Sequence, residues 1–209
     1  MFIEESLWIR EKLAALNIPN GGNILNIGAS TSEFLRTQPH IHENVIKPLK
    51  DRGCRVINMD MKEAVGVDIV GKIEEKGLCD RIGEKFVVVM CTNLLEHVED
   101  RDSAFSNMIA LAGPGGFLLV TVPRNYPRHD DPVDTMYRPG HEELAAEISS
   151  RIRSEIIASE TLEIRNRMYY FYESRLPFWG YRKFRFWRYW FKKHRWKVSC
   201  VICRILSPQ

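Results

Sequence analysis

Residues 85 to 98 read KFVVVMCTNLLEHV. An apolar, β-branched run from Phe86 to Met90 passes into the small polar patch Cys91-Thr92-Asn93 and then into Leu95-Glu96-His97-Val98. A short continuous apolar run of this kind predicts a strand buried on both faces, as in parallel sheets covered by helices. Polar residues just after such a strand stand where open α/β sheets bind ligands, at the carboxyl ends of their strands. The stretch therefore predicts both an α/β fold and the place of a cleft.

The neighbouring segments repeat the alternation. Downstream, a helix over about Arg101 to Leu111 leads through Gly113-Pro114-Gly115-Gly116 to a further strand, FLLVTVP at 117 to 123. Upstream lie NILNIGAS at 23 to 30, CRVINMD at 54 to 60 and GVDIV at 66 to 70, each reading as a short strand. Ile3, Leu7, Trp8, Leu13 and Leu16 recur at roughly helical spacing before Pro19 and paired glycines end the pattern. Ser32 to Gly53 predicts one helix and an irregular segment broken by Pro39 and Pro48. After the fifth strand come a polar segment, RNYPRHDDPVDTMYRPG at 124 to 140, a helix from about His141 to Ser154, a strand near Glu155 to Arg165, and a last strand at 197 to 206. Strands alternating with helices predict βαβ units and a sheet covered on both faces. With no internal repeat or linker, the chain reads as one domain over 1 to 209.

Composition narrows the function classes. A chain of 209 residues buries about 70% of its unfolded surface without needing disulfides. Its five cysteines form no framework, and Cys200 and Cys203 fall in an apolar strand, VSCVICRI, whose alternation sends them to opposite faces. Neither a redox pair nor a metal site is expected. The acidic N-terminal stretch lacks the charge pattern of a signal peptide, and no segment approaches the ~20 apolar residues of a membrane span. A cytoplasmic protein with reduced thiols is expected, possessing an anionic partner for its basic end. That end is marked: residues 174 to 209 hold ten Lys or Arg and no acid, leaving 20 basic and 27 acidic groups in residues 1 to 173, a net of −7.

The aromatic-basic segment 174 to 197 precedes the last strand. Within it RKFRFWRYWFKKHRWK, at 182 to 197, carries eight basic and seven aromatic residues. At helical spacing Phe184, Trp187, Trp190 and Phe191 share one face, and Arg185, Arg188, Lys192 and Arg195 another. Three readings stand: aromatics covering the sheet with cations snorkelling to water, a helix in an anionic membrane interface, or basic groups and stacking aromatics on nucleic acid.

The strand ending in Cys91-Thr92-Asn93 and followed by Leu95-Glu96-His97-Val98 resembles the fourth-strand signature of class I S-adenosylmethionine-dependent methyltransferases. The resemblance implies a Rossmann-like fold with a mostly parallel, seven-stranded central sheet and helices on both faces. ILNIGASTSEF, at 24 to 34, is similar to the family's glycine loop, with Gly28 kept, Ser30 and Ser32 at the later glycine positions and Asn26 in place of the usual acid. Asp60 stands where the family's carboxylate accepts hydrogen bonds from the cofactor ribose. The S-adenosylmethionine site implied comprises Asn26, Gly28, Ala29, Ser30, Asp60, Met61, Cys91, Thr92 and Asn93. The chain departs from the family at Lys72, where an Asp commonly meets the adenine amino group, and at Val87, where an acid usually follows Phe86. Gly28 and Asp60 are also 32 residues apart, against ~20 in typical dinucleotide folds, which implies an inserted segment near 39 to 48.

YPRHDDPVDTMYRP, at 126 to 139, resembles the segment after the fifth strand in methyltransferases associated with bacterial surface-polysaccharide synthesis. That likeness implies a glycan or other small polar acceptor. Asp130, Asp131 and Asp134 would accept bonds from sugar hydroxyls, with Tyr137 beside them, and Arg138 would hold a phosphate or carboxylate. Methyl transfer needs aligned donor and nucleophile, and a base only for a weakly acidic nucleophile such as a hydroxyl. His129 and His97 are the candidate bases, His129 preferred. The bland alternatives are a proline-fixed surface loop, a helix-start acid at Glu96 and a solvated imidazole at His97. Other functions in view are nucleic-acid methylation and a non-catalytic interaction module on the same scaffold. A lipid-linked glycan acceptor would favour the membrane reading, with 182 to 197 at the inner membrane face, over the other two, which stay open; the sequence does not set the oligomeric state.

Overall fold

The computed structural model describes residues 1–129, 133–165 and 195–207. Seven strands, β1 (Asn23–Ile27), β2 (Arg55–Asp60), β3 (Ile69–Val70), β4 (Val88–Thr92), β5 (Phe117–Asn125), β6 (Ser154–Ile164) and β7 (Trp196–Ile205), join in one sheet. Their order is β3-β2-β1-β4-β5-β7-β6. The first five strands run parallel, and β7 runs antiparallel to both β5 and β6. Strand order reverses between β1 and β4, which makes their carboxyl ends the expected ligand crevice.

Side-chain alternation divides β4 between two cores. Val89 and Cys91 face one layer, with Phe105, Met108, Leu144 and Ile148 from α6 (Arg101–Ala112) and α7 (His141–Arg151). Val88 and Met90 face the other, with Trp8, Ile9 and Leu13 from α1 (Ile3–Ala15) and the buried residues of segment 39–51. Cys200 and Cys203 are buried in opposite layers, as the spacing of three in a strand requires.

Several boundaries differ from the sequence expectation. β4 begins at Val88 and takes in Cys91 and Thr92, and β3 shrinks to two residues. After α2 (Ser32–Thr37), residues 39–51 are helical throughout: α3 (Pro39–Ile41) continues through a π-helical turn, His42–Ile46, into α4 (Lys47–Asp51). Pro48 does not break this run. It stands in the first turn of α4 just after the π turn, where a proline is tolerated. Ile41, Val45, Ile46 and Leu49 are buried, and this added helical surface accounts for the long spacing between Gly28 and Asp60. The short helix α5 (Leu78–Ile82) was not expected; left-handed Gly77 and Gly83, with φ of 73° and 70°, frame it.

The first helix buries Trp8, Leu13 and Leu16 as expected but differs at its start. Leu7 is exposed, while Glu5 and Ser6 are buried with Trp8, Ile9 and Leu13. Of the aromatic-basic segment 174–197 only Arg195, Trp196 and Lys197 lie among the described residues; the helical face expected over 184–195 is otherwise outside them. Trp196 is buried against Tyr126, with ring centroids 4.8 Å apart. Among the described residues no helix is long and apolar enough to cross a membrane.

Candidate active site

At the end of β1 the chain turns sharply. Gly28 has φ +70°, and a Cβ there would lie 3.2 Å from both δ-methyls of Leu94. Glycine is required twice over, for the left-handed backbone and for close approach. The Gly28 and Ala29 N–H groups donate to the Met59 carbonyl at 2.9 and 3.2 Å. Ser30, also left-handed at φ 61°, donates its N–H to Asp60 Oδ2 at 2.9 Å. Asp60 Oδ1 accepts from the Lys62 N–H at 3.0 Å. The ends of β1 and β2 are thus stapled through one carboxylate, and each of its oxygens retains a lone pair for another donor.

Asn26 is buried and donates from Nδ2 to Asn58 Oδ1 at 3.0 Å, across the β1–β2 pair in which the two residues face each other. Asn58 Nδ2 in turn donates to the Gly66 carbonyl at 3.0 Å. Asn26 therefore joins the loop after β2 to the glycine turn. Ala29 is buried, Met61 is exposed, and Lys72 is exposed.

The end of β4 is tied to the N-terminal helix. Burial pushes the Cys91 thiol far up, so it remains protonated. Thr92 is half-buried. Asn93 is left-handed at φ 48° and donates its N–H to the Thr121 carbonyl at 2.9 Å. Its Nδ2 donates to both carboxylate oxygens of Glu5, at 2.9 and 2.8 Å. Glu5 also accepts from Thr121 Oγ1 at 2.5 Å and from the Phe2 N–H at 2.9 Å. Glu5 was missed by sequence reading. The signal was its place one turn before Trp8 and Ile9, on the buried stripe of α1.

Beyond Asn93 a 3₁₀ turn, Leu95–His97, carries Glu96 into the interior. Glu96 is 0% exposed, and neither carboxylate oxygen has a hydrogen-bond partner among the described residues. Burial pushes its carboxyl up to about 8. Far from being a solvated helix-start acid, it is one of three buried acidic side chains among the described residues, with Glu5 and Asp134. His97 Nδ1 meets the Val133 carbonyl at 2.5 Å, and its Nε2 lies 3.8 Å from Glu96 Oε1. The His129 ring stands edge-on to those of His97 and Tyr126, at centroid distances of 4.9 and 5.1 Å. Its Nδ1 is 3.3 Å from both Asp134 Oδ2 and the Pro127 carbonyl. Burial, followed by the neighbouring His97, lowers the His129 pKa.

The structure brings the two candidate bases together but occupies most of the expected acceptor residues internally. Asp134 is buried and accepts from the His129 and Met136 N–H groups at 3.0 and 2.8 Å and from Arg138 at 2.6 Å. Burial raises its carboxyl, but the His129 N–H, the Arg138 guanidinium and the Met136 N–H outweigh this and hold it below its ordinary value. Tyr137 donates its hydroxyl to Glu147, and Arg101 stacks over its ring at 4.5 Å. In these positions Asp134 and Tyr137 shape the loop rather than present free polar groups, while Arg138 is held through Nη1 and Nη2 and its buried Nε has no hydrogen-bond partner among the described residues. Asp130 and Asp131 lie outside the described residues. A separate hollow lined by Lys85, Phe86, Pro114 and Arg204 lies at the amino ends of β4 and β5 and includes none of these side chains.

A sequence profile of the family described as Methyltransferase domain matches residues 4–200. No curated protein sequence matches the chain. A solved structure described as a methyltransferase from Bacillus halodurans C-125 is similar, at 13% identity, with 97% of this chain and 100% of that chain covered and a TM-score of 0.63. Coclaurine N-methyltransferase, bound to N-methylheliamine and SAH, shares 13% identity over 96% of this chain and 71% of its own, with a TM-score of 0.61. The [4+2]-cyclase SpnF gives a TM-score of 0.65 at 14% identity, over 99% and 81% of the two chains. At such identities the likeness shows the fold, and a cyclase among the neighbours makes plain that fold alone does not fix a reaction.

Proposed function

The chain belongs to the methyltransferase domain family, and we propose that this S-adenosylmethionine-dependent enzyme methylates an oxygen of a small polar acceptor of the glycan type. The observation that carries the cofactor assignment to particular residues is the Ser30–Asp60 staple at the strand-order reversal. A ribose diol needs acceptors, and Asp60 keeps a lone pair on each oxygen after meeting the Ser30 and Lys62 amides. Gly28 supplies bare backbone beside it, and Thr92 and Asn93, at the carboxyl end of the neighbouring β4, would border the same crevice, with Cys91 contributing backbone alone because its side chain is fully buried. These residues fit the cofactor. When bound, it supplies a methyl group already activated on a sulfonium.

The chain's own part is then to orient the acceptor and handle its proton. His129 turns Nδ1 toward Asp134 and the Pro127 carbonyl, an arrangement that leaves Nε2 as the basic nitrogen. Its lowered pKa keeps the ring neutral at pH 7 and ready to accept a hydroxyl proton. His97 stands beside it as the second candidate. The glycan class rests on the likeness of 126–139 to polysaccharide-associated enzymes. A lipid-linked acceptor would make the basic segment 182–197 a contact to anionic membrane, which flotation with anionic and neutral liposomes tests.

Calorimetry with S-adenosylmethionine and S-adenosylhomocysteine is the primary test. Saturable binding of both is expected, with Asp60→Ala weakening each at least tenfold through loss of charge-assisted bonds. No binding at millimolar ligand would overturn the assignment. His129→Ala is expected to lower kcat with little change in cofactor affinity, and unchanged turnover would remove His129 from the reaction.

A further inference from the structure

We propose that Glu96, His97 and His129 form a site for one divalent transition-metal cation, with Zn²⁺ as its probe. One ligand atom from each of the three residues lies within 4.8 Å of the others. Nitrogen and oxygen ligands sit at about 2.0–2.2 Å from zinc, so seating an ion asks the group to close by about 1 Å. The His97 Nε2 to Glu96 Oε1 separation, 3.8 Å, is already close to that of two ligands on one ion.

Two independent features point to a cation rather than to a chance cluster. First, the Glu96 side chain is fully buried, yet neither oxygen has a hydrogen-bond partner among the described residues, and His97 Nε2 approaches Oε1 only to 3.8 Å. A buried carboxylate without donors is costly; in the metal-free protein protonation relieves that cost, and a bound cation would relieve it while keeping the group ionised. Asn93 Oδ1, three residues earlier, is also buried without a partner. Second, both imidazoles are oriented through Nδ1. His97 meets the Val133 carbonyl with it, and His129 meets Asp134 and the Pro127 carbonyl. Such outer contacts fix the tautomer and direct Nε2 toward a metal. Asp134 is itself held by Arg138 and by two backbone amides, so the support for His129 is rigid.

Two imidazoles and one carboxylate suit zinc and its neighbours in the first transition row, whereas magnesium prefers an all-oxygen shell. The site stands without the methyl-transfer reading; its role alone rests on it. In that role the cation would lower the pKa of an acceptor hydroxyl so that its proton passes to solvent water, and His129, once a ligand, would serve as base only in the metal-free protein.

The test is calorimetry on full-length, chelator-treated protein titrated with ZnCl₂ and separately with MgCl₂, with no cofactor present. One zinc per chain is expected, with Glu96→Gln and His129→Ala each weakening it at least tenfold and magnesium binding far more weakly. X-ray absorption of the zinc-loaded protein should show two imidazoles and no sulfur shell. Absence of saturable zinc binding, unchanged affinity in both variants, or sulfur ligation would overturn the proposal. Circular dichroism confirms that the variants fold, and His129 lies at the rim of the loop where truncation spares the core. Cofactor titration of the same metal-free protein reports separately on the methyl-transfer reading.

Discussion

Glu5 joins the beginning of the chain to its chemistry. Its carboxylate holds the side chain of Asn93, the Thr121 hydroxyl and the Phe2 amide at once, which fixes the left-handed Asn93 at the end of β4. A carboxylate is suited to this because it offers about four lone pairs and no donor of its own. Glu5→Ala would strand three buried or half-buried donors, and each loss costs about 1–3 kcal/mol. Urea unfolding is therefore expected to show a destabilisation of about 3 kcal/mol or more, together with weaker S-adenosylmethionine binding. Glu5→Gln keeps the shape but brings a donor toward the Asn93 amide, and should fall between. Wild-type stability in Glu5→Ala would mean that α1 is not anchored through this residue.

At the scale of elements, the helix that follows the site depends on its first residue. Asp100 caps α6, accepting from the Ser103 N–H at 3.0 Å and from its hydroxyl at 2.7 Å. The Ser103 hydroxyl, then its N–H, hold the Asp100 carboxyl below its ordinary value. The folded pKa lies under the unfolded one, so the cap contributes above the unfolded pKa and is lost as pH falls through the folded value. Asp100→Ala should lower Tm by a few degrees at pH 7 and by progressively less below pH 4. A Tm deficit independent of pH would assign the effect to something other than the charged cap.

The elements also differ in how far they could be read from sequence. β4, β5 and β7 were legible because continuous apolar runs have few alternatives, and the strand-end position of Asp60 was legible because an acid closes the alternating strand RVINM. Segment 39–51 was not, because proline ordinarily breaks a helix, whereas Pro48 directly follows a π turn in a run that stays helical. The chemistry of Glu96 was hidden for a related reason: a charged residue after a strand is normally solvated, and only the 3₁₀ turn over Leu95–His97 drives it inward. Asp134 shows the converse, since a polar loop residue that looked available for substrate is buried by its own neighbours.

At the scale of the whole molecule, β7 threads between β5 and β6 and is covered on both faces, so it reports on both helical layers. Cys200 packs with the layer of α1 and Cys203 with that of α6 and α7. Burial raises both thiol pKa values, Cys203 to about 12, and denies reagent access as well. Only Cys79 among the five thiols is partly exposed. In native conditions alkylation should therefore be confined largely to Cys79, and that slowly, because its pKa is also raised by burial. As urea is added, the fate of Cys200 and Cys203 tests whether the two layers unfold together. A sheet shared by both cores cannot lose one layer without exposing the other's strands, so cooperative unfolding is expected. Mass spectrometry of pulse-alkylated protein should then give the same urea midpoint for both residues, coincident with the loss of far-ultraviolet circular dichroism. Earlier labelling of Cys200 would show instead that the α1 layer opens alone, taking Glu5 away from Asn93 and the cofactor crevice with it.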